Sequence, residues 1–296
     1  MSFNTKTASY TLIFMMVLSV ICAVILSSLA SALKTEQDLA KDLDRSKEMM
    51  IASKIMNREG YFLLPKESEE GYQNAKYVGN GKLESDPSAQ KATNEQILEV
   101  YRSRLIPFLV DAQGNPTTFE EKKIDMKTYL SEHKKLGYYR QPLKLIYKIL
   151  PNGAESGPIG YVIPVNGYGL WDAIFGYIAL FTDGNTVIGI SWYDQKETPG
   201  LGANITEADW QANFPGKKIF AQSTGSAADF QRAEIGINVI RGKVSDVLSA
   251  SPKALSAVDG MAGATLTGNG VTSAYKDTLS AYRGFLSKLA TQKEAK

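Results

Sequence analysis

From Leu143 to Tyr193 the chain reads LKLIYKILPNGAESGPIGYVIPVNGYGLWDAIFGYIALFTDGNTVIGISWY. Four apolar, aromatic or β-branched runs (LKLIYKIL, IGYVIPV, DAIFGYIALF and TVIGISWY) are separated by the turn signals Pro151-Asn152-Gly153, Asn166-Gly167 and Asp183-Gly184-Asn185. That punctuation predicts antiparallel strands. Downstream, KKIFAQ and INVIRG add two expected strands, and Thr206-Glu207-Ala208-Asp209 reads as a capping box opening a short helix that ends before Pro215-Gly216. Val271, Tyr275, Thr278, Leu279, Tyr282, Phe285, Leu286 and Leu289 recur at helical spacing and define a final amphipathic helix. The class is α+β, with a mixed, largely antiparallel sheet and flanking helices.

Upstream, Thr11–Leu33 (TLIFMMVLSVICAVILSSLASAL) is uncharged and exceeds the roughly 20 residues that a spanning helix needs. Ala30-Ser31-Ala32 resembles a signal-peptide cleavage site, but the apolar core is longer than the ~7–15 residues of a signal h-region. A retained anchor is the better reading, with Cys22 packing mid-span. Lys34, Lys41, Arg45 and Lys47 follow the span and only Lys6 precedes it, so charge leaves its orientation open. Leu39, Leu43, Met50, Ile51 and Ile55 continue a helical spacing beyond the span. The expected divisions are a short N-terminus (1–10), a transmembrane helix (11–33), a helical and polar connecting region (34–142) and a strand-rich domain (143–296).

Within the connecting region, Lys66–Thr93 is polar, carries Gly71, Gly79, Gly81 and Pro87, and reads as a long loop. Asn94 is the expected N-cap of the helix EQILEVYRSRL, a short strand is expected around Pro107–Val110, and a charged helix over Phe119–Lys135. The single histidine, His133, stands beside Lys134 and Lys135 and reads as a surface residue. One cysteine excludes an internal disulfide and an all-cysteine metal site, and one histidine excludes multi-histidine centres. A net charge of +2 excludes the electrostatic footprint of a nucleic-acid binder. There is no acid–base dyad, nucleophile triad or metal cluster, and no Gly-x-Gly-x-x-Gly fingerprint after a strand.

Three glycine-rich segments remain: Ile163–Asp172 (IPVNGYGLWD), Glu197–Ala203 (ETPGLGA) and Asp259–Val271 (DGMAGATLTGNGV). Singly, each is ordinarily a turn, and Thr198-Pro199-Gly200 suggests type II. The last places threonine hydroxyls among small residues just before a helical pattern, where a helix N-terminus favours phosphate.

In this order, behind one anchor, the segments resemble the C-subunit family of the Na⁺-translocating NADH:quinone reductases. The resemblance covers the anchor and essentially everything from Leu143 onward, and is thin over Lys66–Lys135. The family motif is Ser/Thr-Gly-Ala-Thr-x-Thr/Ser, with one FMN esterified through its phosphate to the threonine after Gly-Ala. Here that implies Thr265, with Gly263 and Ala264 giving access to the hydroxyl, Leu266 beside it, and Thr267 as cap or phosphate contact. Amides near Asn269 and Gly270 are expected to face the phosphate. Ala262 departs from the motif, which has Ser or Thr there. Leu170, Trp171, Glu197, Thr198, Gly200 and Leu201 are the implied flavin contacts. Trp171 reads equally as a core residue, and Tyr168 and Trp192 as packing.

The resemblance implies a member of a larger assembly, without a complete active site of its own. It would relay electrons in a complex that couples NADH oxidation and ubiquinone reduction to Na⁺ export. It also implies a single-pass protein of the bacterial inner membrane with a cytoplasmic N-terminus and its flavin domain on the periplasmic side. The implied partners are the other subunits of that complex and a flavin transferase delivering FMN from FAD. The G-subunit family of Rnf-type electron transport complexes shares the anchor and threonine motif, but the Gly-Tyr-Gly-Leu-Trp run and the second glycine segment fit the quinone reductase better. A membrane-tethered binding module without redox chemistry is the alternative from another class.

Overall fold

The apolar run near the N-terminus lies in one long helix, α1 (Ala8–Ala52). Of it, Ala8–Lys34 is 27 residues of which none is buried; at 1.5 Å per residue it extends about 40 Å, more than the ~30 Å hydrocarbon core of a bilayer. The computed structural model describes residues 8–66, 71–153, 157–221, 227–249 and 251–294. The chain divides into two units, Met1–Arg45 and Ser46–Lys296, so the last turns of α1 belong to the second.

In the second unit, β1 (Phe62–Pro65), β2 (Tyr72–Gly79) and β3 (Lys82–Ser85) form an antiparallel three-stranded sheet. This overturns the loop expected over Lys66–Thr93. Only Ala75 in β2 and Leu83 in β3 are buried, so these strands lack an apolar signature. Gly79 pairs with Lys82 across Asn80 (φ 51°) and Gly81 (φ 71°), the two positive φ values of a tight hairpin turn.

Next come α2 (Asn94–Arg104), β4 (Leu105–Val110) and β5 (Pro116–Thr117). Thr93, rather than the expected Asn94, caps α2: its hydroxyl accepts the Gln96 amide, and the Gln96 side chain accepts the Thr93 amide. The helix expected over Phe119–Lys135 is reduced to α3 (Met126–His133), capped by Asp125. Lys123, at φ 55°, interrupts the helical path before it. His133 is half-buried, with its ring edge-on to Tyr129 at 4.7 Å, so it is not the solvated histidine expected.

The four runs of the opening stretch become β6 (Lys144–Ile149), β7 (Gly160–Tyr168), β8 (Ala173–Phe181) and β9 (Val187–Asp194). They join β4 and β5 in a six-stranded sheet of order β5-β4-β6-β7-β8-β9, antiparallel throughout. The sheet therefore draws on residues from both sides of Leu143. The central strands are apolar on both faces because both are covered. Trp192 of β9 packs on Tyr275 at 5.4 Å, while the next residue back, Ser191, donates to Glu48 of α1. Successive side chains of a strand point to opposite faces. Met49, Met50 and Ala52 are fully buried on the α1 side.

Beyond the sheet lie α4 (Ala208–Gln211), α5 (Ala227–Arg232), β10 (Asn238–Val239), α6 (Val244–Val247), β11 (Ala257–Val258), α7 (Thr265–Ala281) and α8 (Arg283–Glu294). The expected capping box does not form: the Thr206 hydroxyl donates to the Ala203 carbonyl, and Glu207 precedes α4 without a side-chain cap. In KKIFAQ (217–222), whose last residue lies outside the described ones, Lys218 and Phe220 make isolated bridges and no strand. INVIRG contributes only β10, which pairs in parallel with β11. The final helical pattern is two helices broken at Tyr282, and the first begins at Thr265, six residues before Val271.

Candidate functional site

The start of α7 is built by a turn. The Ala264 amide donates to the Met261 carbonyl at 3.1 Å, with Gly263 at φ 72°, and Gly268 N–H to Ala264 O (3.0 Å) is the first helical bond. Ala264, at the N-cap, offers no side-chain acceptor, so the amides of Thr265, Leu266 and Thr267 are left without a capping group. Asn269 and Gly270, near which the phosphate-facing amides are expected, lie about one turn inside the helix, so the uncapped amides are those before them. Ala262 is exposed in the turn.

The two threonines have different environments. Thr267 is buried and donates its hydroxyl proton to Glu197 Oε2 at 2.5 Å, while Ala264, not Thr267, occupies the N-cap position. Thr265 is only half-buried.

The other two glycine segments are brought to the same place by the sheet. The turn from β7 to β8 and the end of β9 fall at one end of antiparallel neighbours. Leu170 N–H and Trp171 N–H donate to Glu197 Oε2 and Oε1 at 3.1 and 3.0 Å, and Trp171 Nε1 donates to Thr198 Oγ1 at 3.2 Å. Thr198 O accepts the Leu201 amide at 3.1 Å with Gly200 at φ 74°, which is the expected type II turn. Burial pushes the Glu197 carboxyl toward higher pKa, but the bonds from Thr267 and from the Trp171 and Leu170 amides outweigh it and hold the group below the usual carboxylate range.

A cavity of about 200 Å³ is lined by Leu170, Trp171, Glu197, Thr198, Leu201, Gly202 and Gly263 to Leu266, with Thr267 at its base. Of the eleven residues singled out in the sequence, only Gly200 is not on this wall. Trp171 is 68% exposed, which excludes the core role; with Leu170 (48%), Leu201 (41%) and Leu266 (60%) it leaves apolar surface uncovered around Thr265. Trp192 is buried packing as expected, whereas Tyr168 is exposed and lines a neighbouring cavity with Leu170 and Leu266.

On the other side of Thr265 lies a cavity of about 360 Å³, sharing Gly263, Ala264 and Thr265 and otherwise lined by Val239–Lys243, Asp259–Ala262, Gly268 and Asn269. Its exposed Arg241 and Lys243 were not foreseen, because the segment read as a strand. They are brought here by Asp259, whose carboxylate accepts the Val244 amide at 2.7 Å, and by Gly260 N–H to Gly242 O at 2.9 Å. The signal available in the sequence was the pair of basic residues flanking a glycine.

The arrangement suits a ligand with a flat apolar part and an anionic part. Uncovered aliphatic and indole surface fits the first; an uncapped helix N-terminus and two cations fit the second. Among the described residues no group of three or more His, Cys, Asp or Glu side chains could hold a metal.

Residues 169–280 match the family model described as FMN-binding domain, which contains all three segments from Gly169 onward. The C-subunit of the Na⁺-translocating NADH-quinone reductase from Chlamydia muridarum is 37% identical over 95% of this chain and 92% of its own length. Among solved structures, the corresponding protein from Parabacteroides distasonis superposes with a TM-score of 0.55 at 23% identity, covering 86% of this chain and 96% of that one. Shewanella oneidensis NqrC gives 0.56 at 18% identity, covering 84% and 98%. The structures share the fold; the sequence relationship over nearly the whole length assigns the family. With its apolar N-terminal helix and FMN-binding domain, the chain belongs to the C-subunit family of the Na⁺-translocating NADH-quinone reductases.

Proposed function

We propose that this protein carries FMN as a phosphoester of Thr265 and relays electrons between neighbouring subunits of the reductase. The observation that carries this reading is the position of Thr265: first residue of a 17-residue helix, half-buried, on the ridge between an apolar and a basic cavity. FMN bound there would supply one- and two-electron redox chemistry.

The chain's own residues do the rest. The hydroxyl of Thr265 is the ester oxygen, and Gly263 and Ala264 keep its approach free of bulk. The first-turn amides of α7 and the cations Arg241 and Lys243 offset the phosphate's remaining negative charge. Leu170, Trp171, Leu201 and Leu266 form the apolar wall for the ring, and the Thr198–Leu201 turn closes one side. Exposure of Trp171 and Leu266 leaves an open edge through which a partner's redox centre can approach.

Ala8–Lys34 is the single membrane anchor in this reading, with the flavin domain outside the cytoplasm. A covalent link makes physical sense there, since lost FMN could not be replaced from cytoplasmic pools. The partners are the other subunits of the reductase and a flavin transferase that cleaves the pyrophosphate of FAD, placing FMN on the Thr265 hydroxyl and releasing AMP.

The test is to produce the full chain alongside a flavin transferase, denature it, and look for flavin fluorescence on a gel, with the mass shift assigned to the peptide containing Thr265. The wild-type band is expected to fluoresce, Thr265→Ala to be dark and Thr267→Ala to remain labelled. A dark wild-type band, or a fluorescent Thr265→Ala band, overturns the assignment. Protease accessibility in sealed vesicles tests the side.

A further inference from the structure

We infer that Glu197 is the positioning residue of the flavin site: its buried carboxylate fastens the Leu170–Trp171 loop to the helix that bears Thr265, so the apolar wall and the hydroxyl are in register before a cofactor arrives. The inference rests on the attachment reading above.

Glu197 is 5% exposed, a costly place for a carboxylate unless its lone pairs are satisfied. They are satisfied by two separate parts of the chain. Oε1 accepts Trp171 N–H, and Oε2 accepts Leu170 N–H together with Thr267 Oγ–H. Among the described residues no lysine or arginine pairs with it. The group is held by aimed donors, which fix direction, and not by a mobile counter-charge.

Space for it is made on both sides. A Cβ on Gly169 would fall 2.4 Å from Glu197 Oε1, and one on Gly202 would fall 2.8 Å from Oε2 and 2.4 Å from Thr267 Oγ1. Glycines of the first and second segments and a threonine of the third thus converge on one carboxylate. Thr267 lies two residues from Thr265 on α7, so a shift of its bond to Glu197 moves the ester position relative to Trp171 and Leu201. Sites held within about 0.5 Å of productive geometry depend on this kind of support. The carboxylate also lines the cavity, where its fixed negative charge opposes added electrons on a bound flavin.

The experiment uses the full chain made with a flavin transferase, comparing wild type with Glu197→Gln, Glu197→Ala, Thr267→Val and the Glu197→Ala/Thr267→Val double variant. Three quantities are measured: the rate of covalent flavin incorporation, the midpoint potential of the bound flavin, and the melting temperature. Glu197→Ala is expected to slow incorporation tenfold or more. Thr267→Val is expected to slow it less, and the double variant to be no slower than Glu197→Ala, because both remove one linkage. Glu197→Gln keeps a carbonyl for a backbone amide but cannot accept both Trp171 and Thr267 protons; its flavin potential is expected to be more positive than wild type. Normal incorporation and an unchanged potential in Glu197→Gln overturn the inference, even if Glu197→Ala fails to fold. A loss confined to melting temperature also overturns it, because a purely structural role would leave the potential unmoved. A dark wild-type chain would instead sink the attachment reading itself.

Discussion

Two threonines two residues apart on α7 have opposite surroundings. Thr267 is bonded to Glu197 and closed off, whereas Thr265 opens on both cavities. Glu197 makes the domain's stability depend on pH. Its folded pKa lies below the ordinary value of 4.5, so the stability it contributes is fully present above about pH 4.5 and is lost as pH falls through the folded value. Melting curves of wild type and Glu197→Gln from pH 7 to pH 3 are expected to converge below pH 4.5; a constant gap would contradict this. Two glycines in the same loop give a contrast. Gly200 has φ 74° and open space where a side-chain carbon would stand, with nothing within 4 Å, so Gly200→Ala costs only backbone strain, about 1–2 kcal/mol. Gly202→Ala instead drives a methyl into Thr267 and Glu197, and is expected to reduce flavin incorporation as well as stability. Denaturant titration beside gel fluorescence separates the two.

At the scale of elements, α7 carries the site because it can lie close to the end of β7. A Cβ on Gly270 would fall 2.2 Å from the Tyr168 carbonyl oxygen, a backbone atom that cannot swing aside. Gly270→Ala gains about 1 kcal/mol of helix propensity, but overpacking of this kind costs roughly 1–3 kcal/mol. Net destabilisation is expected in urea unfolding, with displacement of the Leu170–Trp171 loop. This packing also explains what was legible in the sequence. β6–β9 announce themselves because both faces are covered, by Tyr275 of α7 and by the end of α1, leaving long apolar runs. β2 and β3 carry no apolar signature because only Ala75 and Leu83 of them are buried, although Asn80-Gly81 marks their hairpin. The start of α7 is not legible in the sequence because Gly268 and Gly270 disguise a helical segment as a loop. The apolar cavity could be anticipated from three motifs; the basic one could not, since Arg241 and Lys243 reach Thr265 only through the Asp259–Val244 bond.

At the scale of the whole molecule, α1 belongs to both units, and its two parts differ in burial. Leu12, Leu26 and Leu29 are more than half exposed, as a bilayer-facing surface requires, whereas Met49, Met50 and Ala52 are fully buried in the second unit. The change falls near Ser46, where the second unit begins. Removing residues 1–45 is therefore expected to give a protein that leaves the membrane fraction yet unfolds with the same denaturant midpoint as the domain in the full chain. Cutting ten residues later also takes away Met49, Met50 and the Glu48–Ser191 bond beneath β9. Loss of one buried methionine side chain costs on the order of 2–5 kcal/mol, a large share of the ~5–15 kcal/mol that holds a domain folded. Met50→Ala in the 46–296 chain isolates that contribution without shortening the backbone. A midpoint unchanged by Met50→Ala would mean that the end of α1 is only a tether; a shift corresponding to about 2–5 kcal/mol makes it part of the flavin domain's core, carrying the sheet on which the site is built.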